Sequence, residues 1–516
     1  MKKAWIWLLA LMMALPAFAL GEDQDVLGRW QITCYIENAH FSEEPWEQHL
    51  DFEADGTVTL LQGGSSIKGT WTKNGSSMDT DLEGFDCLQL MDSGLLLCGS
   101  YQEGMVFTRE GKMPAYERVE GGVSEDGFYY EQLGDGTLEI TGHIANEDAP
   151  EFDENGVMTN ALDLVLPASI HGIPVRSVGM LAFYGNSRLR SAVLPEGIFH
   201  LGREAFNDCV NLEEVQLPQS LGSMGGYAFS RCEKLHAVRI PAGVQDIDFN
   251  PFTNCTAIHA FDLDEGNKWY RLENGALMEN ATDDLIAFPA GSAKTAFSVP
   301  DYVKRIRLGA FMGCASLQEV RLPEGLLTLE SFVFEDTGLT RVNVPASLEE
   351  MRDNPFNHCR DLAAVDVAEG NQVFSSVDGV LFDAEKSRLI FYPIGRPGYT
   401  YTVPEGIRVI GADAFSRNRQ LVKVLLPSSL ETIEDYAFYK MNALAEMDIP
   451  EGVTRIDAYA FCQCDELRKV VIPSTVPEIK YATFAYCEDL EVVLPEGILI
   501  DEFAFEEAER ITLTWR

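Results

Sequence analysis

The chain has 516 residues, with 46% hydrophobic and 10% aromatic residues, so it carries enough apolar material for more than one folded domain and is not a disordered chain. Lys and Arg total 39 against 81 Asp and Glu, a net charge of −42. That charge repels nucleic acid and anionic lipid and excludes both as partners. Lys2 and Lys3 precede an apolar run from Ala4 to Leu15, then Pro16 and Ala17-Phe18-Ala19. A positive start, a short apolar core and an A-x-A site predict an export signal over 1–19, removed after Ala19. Later stretches fall short of the ~18 consecutive apolar residues a spanning helix needs. The expectation is therefore a secreted or surface-associated protein with no membrane insertion after cleavage.

Residues 25–112 read as short alternating strands separated by Gly, Asn and Asp turns, a small antiparallel barrel or sandwich. Gly28-Arg29-Trp30 opens the first strand, Asp55-Gly56 marks a hairpin, and Gly69-Thr70-Trp71 begins another strand. The G-x-W opening and D-G-T hairpin resemble lipocalin-like domains, which implies a small apolar ligand; Trp30 and Trp71 also read simply as core. Asp51, Glu53, Asp55 and Gly56 imitate the start of a calcium loop, but Gln62 stands where its bidentate Glu belongs. Cys87 and Cys98 flank a turn: a loop at Asp92-Ser93 puts them face to face, a loop at Ser93-Gly94 separates them, and Cys34 has no assigned role. Residues 113–125, with Glu120-Gly121-Gly122, read as a linker.

Residues 126–516 read as one unit, and from about residue 167 the chain repeats itself. Prolines ending short apolar stretches recur at a 23-residue step, as at Pro195, Pro218 and Pro241 and again at Pro404, Pro427, Pro450 and Pro473. A phenylalanine keeps the same step at Phe183, Phe206, Phe229 and Phe252 and at Phe415, Phe438, Phe461 and Phe484. With Phe311, Phe334 and the shorter units at Phe356 and Phe505 there are twelve copies, and a period of this kind predicts a solenoid. In one copy Val215 and Leu217 alternate with Glu214 and Gln216, as a half-buried strand requires, and Pro218 ends it for want of an N–H. One coil cannot bury its apolar side alone, so neighbours must stack. The expected product is a parallel sheet on one face and short turns or 3₁₀ segments on the other.

Two copies carry 36 extra residues, at about 264–299 and 368–403, with matching content offset by 104 residues. Val377 to Phe382 followed by Leu389-Ile390-Phe391 predicts a hairpin lying on the solenoid. The unit, with its A-F-x-x-C and V-x-[IL]-P cores, and the insertions, with D-G-V-L-F and L-I-x-Y-P, resemble the BspA-type leucine-rich repeat family. The lead-in Gly134-Asp135-Gly136-Thr137-Leu138 and Ile170-His171-Gly172-Ile173-Pro174 is similar to it as well. The resemblance implies a secreted or surface-displayed protein, in several members an adhesin for host matrix proteins or cells, with no catalytic residues in the repeat.

Seven of eleven cysteines (Cys209, Cys232, Cys255, Cys314, Cys359, Cys464 and Cys487) sit three residues after the repeat Phe, where other copies hold Asn186, Thr337, Asn418 or Met441. That exchange predicts a buried ladder of small groups bonded to turn backbone, not disulfides. Cys462 and Cys464 lack partners at metal-ligand spacing, and the eight histidines are scattered. No metalloprotease, phosphate-loop, dinucleotide or nucleophile-elbow motif occurs. No enzyme, cofactor or metal is expected.

Strand residues flanking the buried Val must point out on the sheet face. Ten such pairs hold five bases and six acids, near balance on a chain with two acids per base. Arg239, Glu319, Arg321, Arg341, Asn343, Asp366 and Lys423 are the candidate contacts, with Glu319, Arg321, Arg341 and Asn343 forming one compact patch. An ordinary solvated sheet with charges paired across strands explains the same residues. Trp269, Tyr270, Phe391 and Tyr392 of the insertions are rival contacts, or packing. The reading is a non-enzymatic binding protein for an extracellular or host protein or a glycan. The alternatives are a small-molecule carrier or sensor built on the amino-terminal β domain, and a structural component of the cell envelope.

Overall fold

The computed structural model describes nine strands between residues 28 and 109, residue 53, and all of 121–516 except 134–136, 147, 154–157 and 237. The export signal expected over 1–19, the Asp55-Gly56 turn of the calcium-loop reading and most of the 113–125 linker lie outside the described residues. The chain divides into two compact units, Met1–Ala228 and Phe229–Arg516.

In the first unit the nine amino-terminal strands pair antiparallel, each with a sequence neighbour, and Gly28–Glu37 also pairs with Gly104–Arg109 from Trp30↔Arg109 to Ile36↔Gly104. Leu50, Phe52, Val58 and Leu60 are buried, two on each of two paired strands, as period-2 alternation dictates. Cys98 stands opposite Leu88, so Cys87 and Cys98 are not directly opposed; this register lies between the two alternatives, one residue from each.

Gly122–Val123, within the segment expected as linker, pairs with Phe128–Gln132, which pairs with Leu138–His143. From there the pairing turns parallel. One ladder runs Leu138–His143, Ile173–Val178, His200–Leu201, Ser223–Met224; a second runs Leu162–Val165, Leu189–Val193, Glu214–Gln216. Each coil therefore contributes two strands, one to each ladder, around a filled core.

The second unit repeats this plan. Of the short turns or 3₁₀ segments expected on the back of each coil, the turns are present, with two-residue parallel strands such as Arg305–Ile306, Thr328–Leu329 and Glu350–Met351 beside them; no 3₁₀ helix occurs among the described residues. The reason is backbone handedness. Left-handed residues four apart bracket the Phe turn in coil after coil, as in Tyr436 (φ 56) and Lys440 (φ 55), or Tyr459 (φ 58) and Gln463 (φ 58). A 3₁₀ helix needs consecutive right-handed residues and cannot pass through them.

Phenylalanines stack along the core: Phe415–Phe438 at 5.2 Å, Phe438–Phe461 at 5.0 Å and Phe461–Phe484 at 5.5 Å, with ring planes within 8°. The coil repeat of ~4.8 Å sets this spacing. Beside them the cysteines are free and buried, and Cys464 Sγ donates to Phe438 O at 3.1 Å, Cys487 Sγ to Phe461 O at 3.2 Å. Asn418 fills the same position and accepts from the Gln420 and Leu421 amides.

The insertions are built into the solenoid instead of lying on it. Tyr270–Glu273, Ala276–Glu279 and Leu285–Ala287 form an antiparallel meander whose last strand joins the back ladder at Arg305–Ile306, and Phe374–Val377, Val380–Asp383 and Arg388–Phe391 do the same at Val409–Ile410. Met278, Leu285, Ile286 and Phe288 are buried, so an external hairpin would have left a coil-sized gap in the core.

Candidate binding face

The front strands of the second unit place alternate residues outward: Glu319–Arg321 and Arg341–Val344 both show the exposed–buried–exposed order around Val320 and Val342. The sheet is not continuous here. Glu319–Arg321 pairs with Ala296–Ser298, and Arg341–Val344 pairs with Ala364–Val367. Among the described residues no ladder joins the two pairs; beside these front strands the Thr340 N–H donates to Gln318 O at 3.2 Å, while the back ladder continues from Arg305–Ile306 to Thr328–Leu329. A groove of about 750 Å³ opens between them, and Glu319, Arg321, Arg341, Asn343 and Asp366 all line it.

Its charges are unequal in availability. Arg341 is ion-paired with Asp366, an exposed pair in which each charge cancels the other. Arg321 is exposed and, among the described residues, has no acid partner. Glu319 and Glu324 also line the groove. The groove thus offers one unneutralised guanidinium, a five-donor planar group, beside carboxylates and the Asn343 amide.

Two predicted residues lie elsewhere. Arg239 pairs with Asp264 and stands 3.9 Å from Asp262, and Lys423 stands 3.9 Å from Glu446. For these, charges paired across strands describe the surface. Of the rival aromatics, Tyr270, Phe391 and Tyr392 are buried, with Ile247 N–H donating to Tyr270 Oη at 2.7 Å; Trp269 alone is half exposed. Gln318 and Thr340, which also line the groove, were missed because they precede their strands and carry no outward-facing strand signal.

A different polar column runs through the back ladder of the first unit, where Glu139, Ser177, His200 and Ser223 stand side by side in register. Ser177 Oγ donates to Glu139 Oε2 at 2.6 Å, and His200 Nδ1 lies 2.8 Å from Ser223 Oγ. Burial pushes Glu139 up to about 7 and His200 down to about 4. Glu139, Ser177 and His200 are buried, and Ser223, the partner of His200, is half-buried.

The repeat has counterparts among known proteins. The family model for the BspA type leucine rich repeat region matches in six copies, over residues 173–280, 287–382 and 399–512. The chain belongs to this family. Among solved structures it is similar to a leucine rich cell surface protein from Faecalibacterium prausnitzii (23% identity, covering 77% of this chain and 95% of that one, TM-score 0.45). It is similar too to a leucine-rich repeat protein from Eubacterium ventriosum (20% identity, 77% and 85% covered, TM-score 0.37) and to the pneumococcal vaccine antigen PcpA (19% identity, 77% and 94% covered, TM-score 0.40). No curated protein matches the chain. No helix among the described residues of this BspA-type protein is long and apolar enough to cross a membrane.

Proposed function

We propose that this BspA-type protein is a non-enzymatic binding protein, secreted or held at the cell surface, that engages an extracellular or host protein or a glycan through the front sheet of its second unit. The observation that carries the reading is the groove between Glu319–Arg321 and Arg341–Val344, where the strand ladder opens around an exposed Arg321 that has no acid partner among the described residues. A solenoid's repeated strands make a broad surface on which a polar partner can be gripped at several side chains. Adhesion is the biological form this binding takes in the proposal. The test is saturable binding of the protein to immobilised matrix proteins, mucin and whole cells, and its loss in Arg321→Glu.

A second reading is favoured by one specific observation. The strands Gly28–Glu37 and Gly104–Arg109 pair, so eight of the nine amino-terminal strands form a ring of pairings with His40–Ser42 outside it, which supports reading this region as a small barrel. A small apolar ligand inside it would make the protein a carrier or sensor. Fluorescence quenching of Trp30 or Trp71 by fatty acids or hydrophobic dyes tests this, and unchanged emission across such probes refutes it.

A further inference from the structure

Two coils of the second unit bring together a set of donors that no sequence spacing suggests. Glu335 and Asp336 follow the core residue Phe334; His358 holds the position equivalent to Asp336 one coil later. Asp336 (φ 54) and His358 (φ 58) are both left-handed, so their side chains leave adjacent turns in the same direction. His358 Nδ1 lies 3.3 Å from Glu335 Oε1 and 3.6 Å from Asp336 Oδ1. One ligand atom from each of the three residues lies within 4.8 Å of the other two. Ligand–ligand edges around a metal with bonds of 2.0–2.2 Å are about 2.8–3.6 Å in tetrahedral or octahedral shells. The side chains are partly sheltered, at 17% exposure for Glu335, 23% for His358 and 39% for Asp336, which leaves room for solvent ligands.

A support lies outside the three donors. Asn357 Nδ2 donates to Glu335 Oε1 at 3.1 Å and orients that carboxylate, the role an outer-shell partner plays in metal sites. The nearby cation Arg417 lies over the Tyr439 ring at 5.3 Å. We propose that Glu335, Asp336 and His358 form a binding site for a divalent transition-metal ion, with zinc the matching probe. One imidazole with two carboxylates suits Zn²⁺; Ca²⁺ and Mg²⁺ prefer all-oxygen sets. The site is distinct from the sheet groove, and its failure would leave the binding reading intact.

The test uses the full chain stripped with chelator and titrated with Zn²⁺ by equilibrium dialysis, beside His358→Gln, Asp336→Asn and the remote control His236→Gln. The expected result is one equivalent bound that both site variants weaken at least 10-fold, that His236→Gln leaves unchanged, and that equimolar Ca²⁺ does not displace. Co²⁺ in place of Zn²⁺ should give visible absorption bands in the wild type and not in His358→Gln. Equal zinc stoichiometry and affinity in wild type and both site variants, or no zinc bound at all, overturns the proposal. Circular dichroism identifies any variant that has lost its fold, and the isosteric Asp336→Asn then decides between the two outcomes.

Discussion

Replacing Glu139 by glutamine tests the physics of the buried polar column. Glu139 is 3% exposed, next to the core residues Leu138 and Ile140 on its strand, and its Oε2 accepts the Ser177 hydroxyl at 2.6 Å. Burial is the main cause of its rise from 4.5 to about 7; the Ser177 bond opposes that rise and the Glu131 charge adds to it. Because the folded state holds this proton more tightly than the unfolded chain, the associated stability is fully present below about pH 4.5 and is lost as pH rises through about 7. A shift of this size corresponds to a loss on the order of 3 kcal/mol. The amide of Glu139→Gln would keep an acceptor for Ser177 and not titrate. His200 contributes the opposite slope: its folded value of about 4 means stability is lost as pH falls below 6.5, equally in both proteins, so it cancels in the difference. The assay is amide hydrogen exchange in peptides spanning 138–143 and 173–178 between pH 4 and 8, corrected for intrinsic rates. Protection in Glu139→Gln should gain on the wild type by roughly 3 kcal/mol across that range. Parallel profiles for the two proteins would refute the reasoning.

Other consequences are local. Phe461→Ala should cost about 3–5 kcal/mol, because a fully buried ring stacked between Phe438 and Phe484 leaves a cavity that coils cannot close, and urea melts monitored beside exchange in the flanking coils should show it. A cost under about 1 kcal/mol would contradict the stacked core. The eight buried free cysteines from Cys209 to Cys487 should resist thiol reagents at pH 8 in the native protein and react fully in denaturant, as burial pushes Cys359 and Cys487 up to about 12 and Cys462 to about 11. Rapid native labelling of any of them, mapped by mass spectrometry, would count against the ladder. Arg321→Glu should change stability by less than about 0.5 kcal/mol in thermal melts, since no ion pair among the described residues is lost.

What the sequence made legible was whatever the period repeats. Phe438 and Phe461 recur at one step and stack; Cys464 and Asn418 share a position and share its backbone-bonding role. The patch of Glu319, Arg321, Arg341 and Asn343 was legible for the same reason, as strand alternation alone places those residues outward. The groove between them was not, because whether a ladder closes depends on how two coils diverge in space. On the back of the coil the choice between turns and 3₁₀ segments stayed open, since left-handed residues such as Tyr459 and Gln463, which decide for turns, carry no composition signal. The insertions were misplaced because an apolar hairpin such as Phe374–Val377 with Val380–Asp383 reads alike whether it lies on a core or inside one. His358 meets Glu335 and Asp336 through coil stacking, and the stretch between them carries no ligand motif that would mark the meeting in the sequence.

The central claim is that the front sheet of the second unit binds through its open groove. The measurement is binding of wild type, Arg321→Glu and the remote control Arg190→Glu to immobilised matrix proteins, mucin and whole cells at about 0.15 M salt. Arg190 is exposed and ion-paired with Asp163 on the first unit, so its replacement reports nonspecific charge effects. Saturable binding that falls at least 10-fold in Arg321→Glu and persists in Arg190→Glu is the predicted result, a loss of ~1.4 kcal/mol or more. Binding to none of these surfaces, or binding that Arg321→Glu leaves unchanged, would contradict it.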